Sequence, residues 1–163
     1  MSAITTAGGV PAAPRGFPAI VYGGILAGTL DILAAIISNG LRGIEPLRVL
    51  QSVASGLLGR TAYESGLAGG LVGLLLHFLM MFVICAIFYM AGRRFSFLSR
   101  HAFVSGALYG IGVYLFMNFV VLPLSAFPHS LRYTLEALAV GLSVHVFCVG
   151  LPIALVVKRF AGK

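Results

Sequence analysis

Four polar side chains stand inside long apolar runs of this sequence, one in each run: Asp31, His77, Asn118 and His145. A polar or ionisable group costs free energy in hydrocarbon unless it finds a partner, so chemistry is sought there first. Three readings fit these residue types. Mutual hydrogen bonding would fix helix register without any reaction, each such pair contributing about 0.6 kcal/mol. A carboxyl shielded from water beside an imidazole that titrates near neutrality is the pairing of proton relays, with Asp31 exchanging the proton and a histidine receiving it. His77 and His145 are also an axial ligand set for a b-type haem, with Gly73 and Gly141 one turn earlier making room for the porphyrin and Arg48 or Arg60 as the nearest cations for its propionates. A copper site of His77, Met80 and Met81 completes the metal candidates.

Other chemistry has less to stand on. The sequence holds no Gly-rich phosphate loop, nucleophile elbow, zincin pair or paired catalytic carboxylates, which disfavours hydrolytic and nucleotide-dependent enzymes. Cys85 and Cys148 lie in apolar runs without Cys-x-x-Cys spacing and argue neither for a disulfide framework nor for zinc. His101 and His129 belong to loops or span ends, and Tyr22, Tyr89, Tyr109 and Tyr114 read as interfacial anchors or packing residues. The formal charge of +7 comes from basic residues scattered one to three at a time between apolar runs, which is no nucleic-acid footprint.

The elements that must position the four polar residues are membrane helices. Of 163 residues 60% are hydrophobic and 9% charged, against roughly 25% charged in a soluble domain. With a mean hydropathy of +1.05, this composition excludes a water-soluble fold and predicts an all-α integral membrane protein. Four spans are expected, at about 17–38, 67–91, 102–123 and 135–157, each near the length a bilayer crossing needs. They form one domain, 17–157, between a disordered N-terminal tail, 1–16, and a basic tail, 158–163. No basic stretch precedes the first run, so that run is expected to stay as a span. The third span's end is the least defined, because no charge occurs between Arg100 and Arg132 and the run could reach Phe127.

Between the first two spans, Pro46 suits a first helical turn and Leu47, Leu50, Val53, Ala54, Leu57 and Leu58 recur at helical spacing. Arg48, Gln51, Ser52, Ser55 and Arg60 fall mostly on the opposite side, so 46–58 reads as an amphipathic helix on the membrane surface, or one packed over the mouth of the bundle. Seven cations, Arg15, Arg93, Arg94, Arg100, Lys158, Arg159 and Lys163, fall on one side of the membrane and four, Arg42, Arg48, Arg60 and Arg132, on the other. The excess predicts both termini cytoplasmic, the 46–58 helix on the outer face, and an inner-membrane location. Counted at 1.5 Å per residue, His77 and His145 then lie roughly 12–15 Å below the outer face, Asp31 roughly 10 Å and Asn118 roughly 7–13 Å, so all four share one slab.

Small residues mark the faces. Gly24, Ala27, Gly28, Ala35 and Ser38 share the Asp31 side of the first span; Gly66, Gly70, Gly73, Met80, Met81 and Ile84 share the His77 side of the second. Leu138, Gly141, Cys148 and Pro152 share the His145 side of the fourth, where Pro152 is expected to kink the helix. Gly24-x-x-x-Gly28 matches Gly106-x-x-x-Gly110, and Gly73-Leu74-x-x-His77 matches Gly141-Leu142-x-x-His145, the pattern of a duplicated hairpin. The overlapping pairs Gly66-x-x-x-Gly70 and Gly69-x-x-x-Gly73 leave more small surface than two neighbours require. That surplus predicts a homodimer, or docking onto a larger membrane complex, through the second or first span.

Overall fold

Away from water, a single run of chain satisfies its own backbone N–H and C=O groups by coiling into helix. The computed structural model describes residues 16–128 and 134–161, and the elements in order are α1 (Gly16–Gly40), α2 (Pro46–Leu58), a 3₁₀ turn (Gly59–Tyr63), α3 (Gly66–Arg94), α4 (Ser96–Arg100), α5 (Ala102–Leu124) and α6 (Leu135–Phe160). No strand occurs among the described residues. Four of the described helices, α1, α3, α5 and α6, are long and apolar enough to cross a membrane. Residues 1–15 of the expected N-terminal tail, with Arg15, and His129, Arg132 and Lys163 lie outside the described residues, whereas Gly16 opens α1.

Punctuation in the sequence sets the ends. Pro46 occupies the first turn of α2, where its missing N–H costs nothing, and Gly59 at φ 60° ends that helix. Thr134 starts α6 by accepting a hydrogen bond from the Ala137 N–H through Oγ1 at 3.1 Å. The third long helix stops at Leu124, short of Phe127, and the chain turns back so that the Ala126 N–H donates to the Gly56 carbonyl at 2.9 Å.

α1 lies between α3 and α6, and α6 lies between α1 and α5. Glycines set the close approaches: a side chain at Gly24 would meet Phe82, one at Gly28 would meet Phe78 and Met81, and at Gly106 and Gly110 the backbone of α6 at Gly150 and His145 fills the space. Phe88, Ile153, Val149, Val157 and Cys85 form the fully buried centre. By contrast α3 and α5 touch sparsely, and a groove separates them.

α2 packs along the first half of α3 through Leu47, Leu50 and Ala54, but its inward face is rotated from that expected. Leu57 and Leu58 are exposed, whereas Gln51 and Ser55 are buried beside Val49 and Ala54. The reason lies in α3: Gly70 and Gly73 have no side chains, so Leu47 and the Leu50 backbone press directly onto the helix, and this close approach covers the residues on either side. The buried polar groups are satisfied locally, Gln51 Nε2 donating to the Gly66 carbonyl at 2.9 Å and Ser55 Oγ to Ser52 at 2.7 Å. This contact also absorbs the surplus glycine surface on which the expected homodimer rested. A side chain at Gly69 would strike the Ala62 carbonyl, so this groove has an internal occupant. Gly66 does not pack at all: it opens α3 at φ 56° with nothing near its missing side chain.

Within α5 and α6 two turns depart from α geometry, at Met117–Val121 and His145–Gly150, each closing an i to i+5 hydrogen bond. Both precede a Leu-Pro pair, Leu122-Pro123 and Leu151-Pro152. Proline lacks the N–H for the carbonyl four residues back and its ring crowds that carbonyl, so the preceding turn widens. The disturbance expected from Pro152 therefore takes the form of a π-turn, and the same rule applies at Pro123.

Candidate functional site

Asp31 and His77 face each other from α1 and α3. His77 Nδ1 lies 4.0 Å from Asp31 Oδ2, with the side chains 7% and 13% exposed. The other ring nitrogen, Nε2, is 2.8 Å from the Gly28 carbonyl oxygen. A carbonyl only accepts, so Nε2 carries the hydrogen and Nδ1 is left facing the carboxyl. Gly28 allows this because its bare backbone brings α1 close to α3, and the His77 ring is steadied edge-on by Phe78 at 5.4 Å.

His145 joins them across the bundle, within electrostatic reach of the Asp31 carboxylate. It sits at the start of the π-turn of α6, its Nδ1 2.9 Å from the Gly141 carbonyl and its ring edge-on to Tyr114 at 5.2 Å. Cys148, in the same π-turn, is also within electrostatic reach of Asp31. Asn118 lies in the other π-turn and donates through Nδ2 to the Tyr114 carbonyl at 2.9 Å. Asp31 and His77 thus meet, His145 lies within electrostatic reach of Asp31, and Asn118 is tied to the residue whose ring meets His145. Among the described residues no buried side-chain nitrogen or oxygen lacks a hydrogen-bond partner.

Several residues assigned by spacing serve otherwise. The room expected at Gly73 and Gly141 for a porphyrin is occupied, by the Leu50 backbone at Gly73 and the Tyr114 ring at Gly141. Arg48 donates to the Tyr63 carbonyl at 3.2 Å and lies over the Tyr63 ring at 5.7 Å. Met81 is buried on the His77 stripe, but Met80 and Ile84 turn to the groove between α3 and α5, which separates Met80 from a copper site with His77. No cluster of three or more His, Cys, Asp or Glu able to hold a metal occurs among the described residues. Tyr109 is a packing residue, its hydroxyl donating to the Ile84 carbonyl at 2.7 Å. Tyr114 went unrecognised as part of the site; nothing in its own neighbourhood of sequence distinguishes it, and only the crossing of α5 and α6 sets it against His145.

No protein-family model matches the chain, and comparison with curated proteins and with solved structures returns no match. Function is therefore argued from the geometry of this site.

Proposed function

We propose that this chain is a non-enzymatic, multi-pass inner-membrane protein, an accessory subunit or small transport-type component, whose Asp31, His77 and His145 exchange protons inside the bundle. One observation carries the reading: the Asp31 carboxyl is 4.0 Å from His77 Nδ1 while Nε2 is held by the Gly28 carbonyl. With Nε2–H fixed, Nδ1 is the ring atom left to take a proton from the carboxyl. At 4.0 Å the two are too far apart to share it, and a shift of roughly 1 Å brings them to hydrogen-bond distance. His145, with Nδ1 committed to Gly141, keeps Nε2 as a further station. The basic excess around α4 and the end of α6 supports cytoplasmic termini, with α2 on the outer face. A duplicated hairpin is supported by the parallel use of Gly24/Gly28 and Gly106/Gly110, each pair seating the second long helix of its own hairpin.

The test is proton flux in proteoliposomes holding a pH-sensitive dye, driven by a potassium diffusion potential. Wild-type protein is expected to conduct above protein-free vesicles, and Asp31→Asn to fall to the vesicle background with unchanged helix content. Wild-type flux at background would refute the reading. The alternative, a bis-His b-type haem on His77 and His145, requires His77 to release Gly28 and Tyr114 to leave Gly141; a Soret band in the purified protein would favour it.

A further inference from the structure

α3 and α5 face each other across an unfilled groove of about 540 Å³, walled by Leu79, Val83 and Ile87 from α3 and Leu108, Gly112 and Phe116 from α5. Met80, Met117 and Val121 carry it on into a second hollow of about 350 Å³ beneath α2. From Leu108 to Val121 the groove covers roughly 20 Å at 1.5 Å per residue, more than one leaflet of a hydrocarbon core about 30 Å thick. Apart from Gly112 its walls are bulky. A protein helix docking in lipid needs small residues to approach, and Gly24, Gly28, Gly70, Gly73, Gly106 and Gly110 already face their own chain. A flexible chain can follow walls of Leu, Val, Phe and adaptable Met.

Charge singles out one end of this groove. Arg93 and Arg94 close α3, Arg100 closes α4, and Lys158 and Arg159 lie in the last turn of α6; all five are exposed. α4 packs on both α3 and α6, which gathers the five at one end of the bundle. None of them forms an ion pair among the described residues. The glutamates, Glu45, Glu64 and Glu136, all belong to the opposite end, beside the starts of α2, α3 and α6. Arg94 stands seven residues beyond Ile87, so it continues the groove stripe of α3 toward that basic end.

We propose that the groove between α3 and α5 holds an acyl chain of an anionic phospholipid, whose phosphate rests on Arg94 and its basic neighbours. The full-length protein in nanodiscs of equimolar dioleoyl phosphatidylglycerol and dioleoyl phosphatidylcholine, released and weighed by native mass spectrometry, tests it. Wild-type protein is expected to retain the glycerol lipid roughly tenfold over the choline lipid. Arg93→Gln with Arg94→Gln should bring that ratio near one without reducing the number of lipids held. Gly112→Phe, whose side chain enters open space in the groove, should remove one lipid of either kind; equal melting temperatures for both variants and wild type show that folding is kept. A wild-type ratio of one overturns the proposal, as does unchanged retention in Gly112→Phe. Displacement of the lipid by millimolar inorganic phosphate would assign the basic end to a free anion, and a wild-type dimer dissolved by Gly112→Phe would assign the groove to a second copy; either result overturns it too.

Discussion

At the residue scale, the pairing of Asp31 with His77 depends on an atom that has no side chain, the Gly28 carbonyl. It holds one imidazole nitrogen and so commits the other to the carboxyl. His77→Ala leaves a buried carboxyl without its partner, a loss of about 1–3 kcal/mol. Asp31→Asn in the same chain should recover part of that loss, because an amide is cheaper to bury unpaired than an ionised carboxylate. The expected coupling in a double-mutant cycle, read from unfolding in mixed detergent, exceeds about 0.5 kcal/mol. A cycle that closes to zero would show that the two side chains do not act together.

At the element scale, the two π-turns matter more than the helices that contain them. Each lies just ahead of a Leu-Pro pair, and between them they carry Asn118, His145 and Cys148. An extra residue in a turn rotates everything on one side of it relative to a regular helix, so Pro152 helps to aim His145 at the centre from seven residues further along the chain. Pro152→Ala restores the missing N–H and favours a regular turn. Such a variant should unfold no more easily than wild type, yet lose most of the proton flux and show altered imidazole nitrogen shifts for His145. Unaltered shifts would separate the proline from the placement of the histidine.

For the whole molecule, the bundle has unlike ends. One carries the exposed cations of α3, α4 and α6; the other carries α2, the three glutamates and the 2.9 Å pair between Arg42 and Glu136, which links the turn after α1 to the start of α6. The pair is exposed and serves as a marker of side, since contacts of this kind contribute about 0–1 kcal/mol. Single cysteines at Ser96 and Thr61, in a chain with Cys85 and Cys148 replaced, test the orientation. A membrane-impermeant maleimide applied to intact spheroplasts should label Thr61→Cys and spare Ser96→Cys. The reverse pattern would invert the topology.

The all-helical class and the four long helices were legible in the sequence because apolar length is a local property: a run of about 20 uncharged residues has few other ways to satisfy its backbone. Asp31, His77 and His145 were legible as candidates for the same reason, since a polar residue in such a run stands out wherever the run ends up. Local pattern said less about facing. The alternation on 46–58 put Gln51 and Ser55 outside, and they are buried because bare glycines on α3, outside that segment, let the α2 backbone approach closely. The same contact gave Gly69, Gly70 and Gly73 an internal partner. Tyr114 against His145, and His77 on the Gly28 carbonyl, are meetings between helices far apart in the chain. Helix formation follows from each segment's own composition, whereas these pairings depend on crossing distances set by side-chain volume on two segments at once, so they exist only once the bundle is assembled.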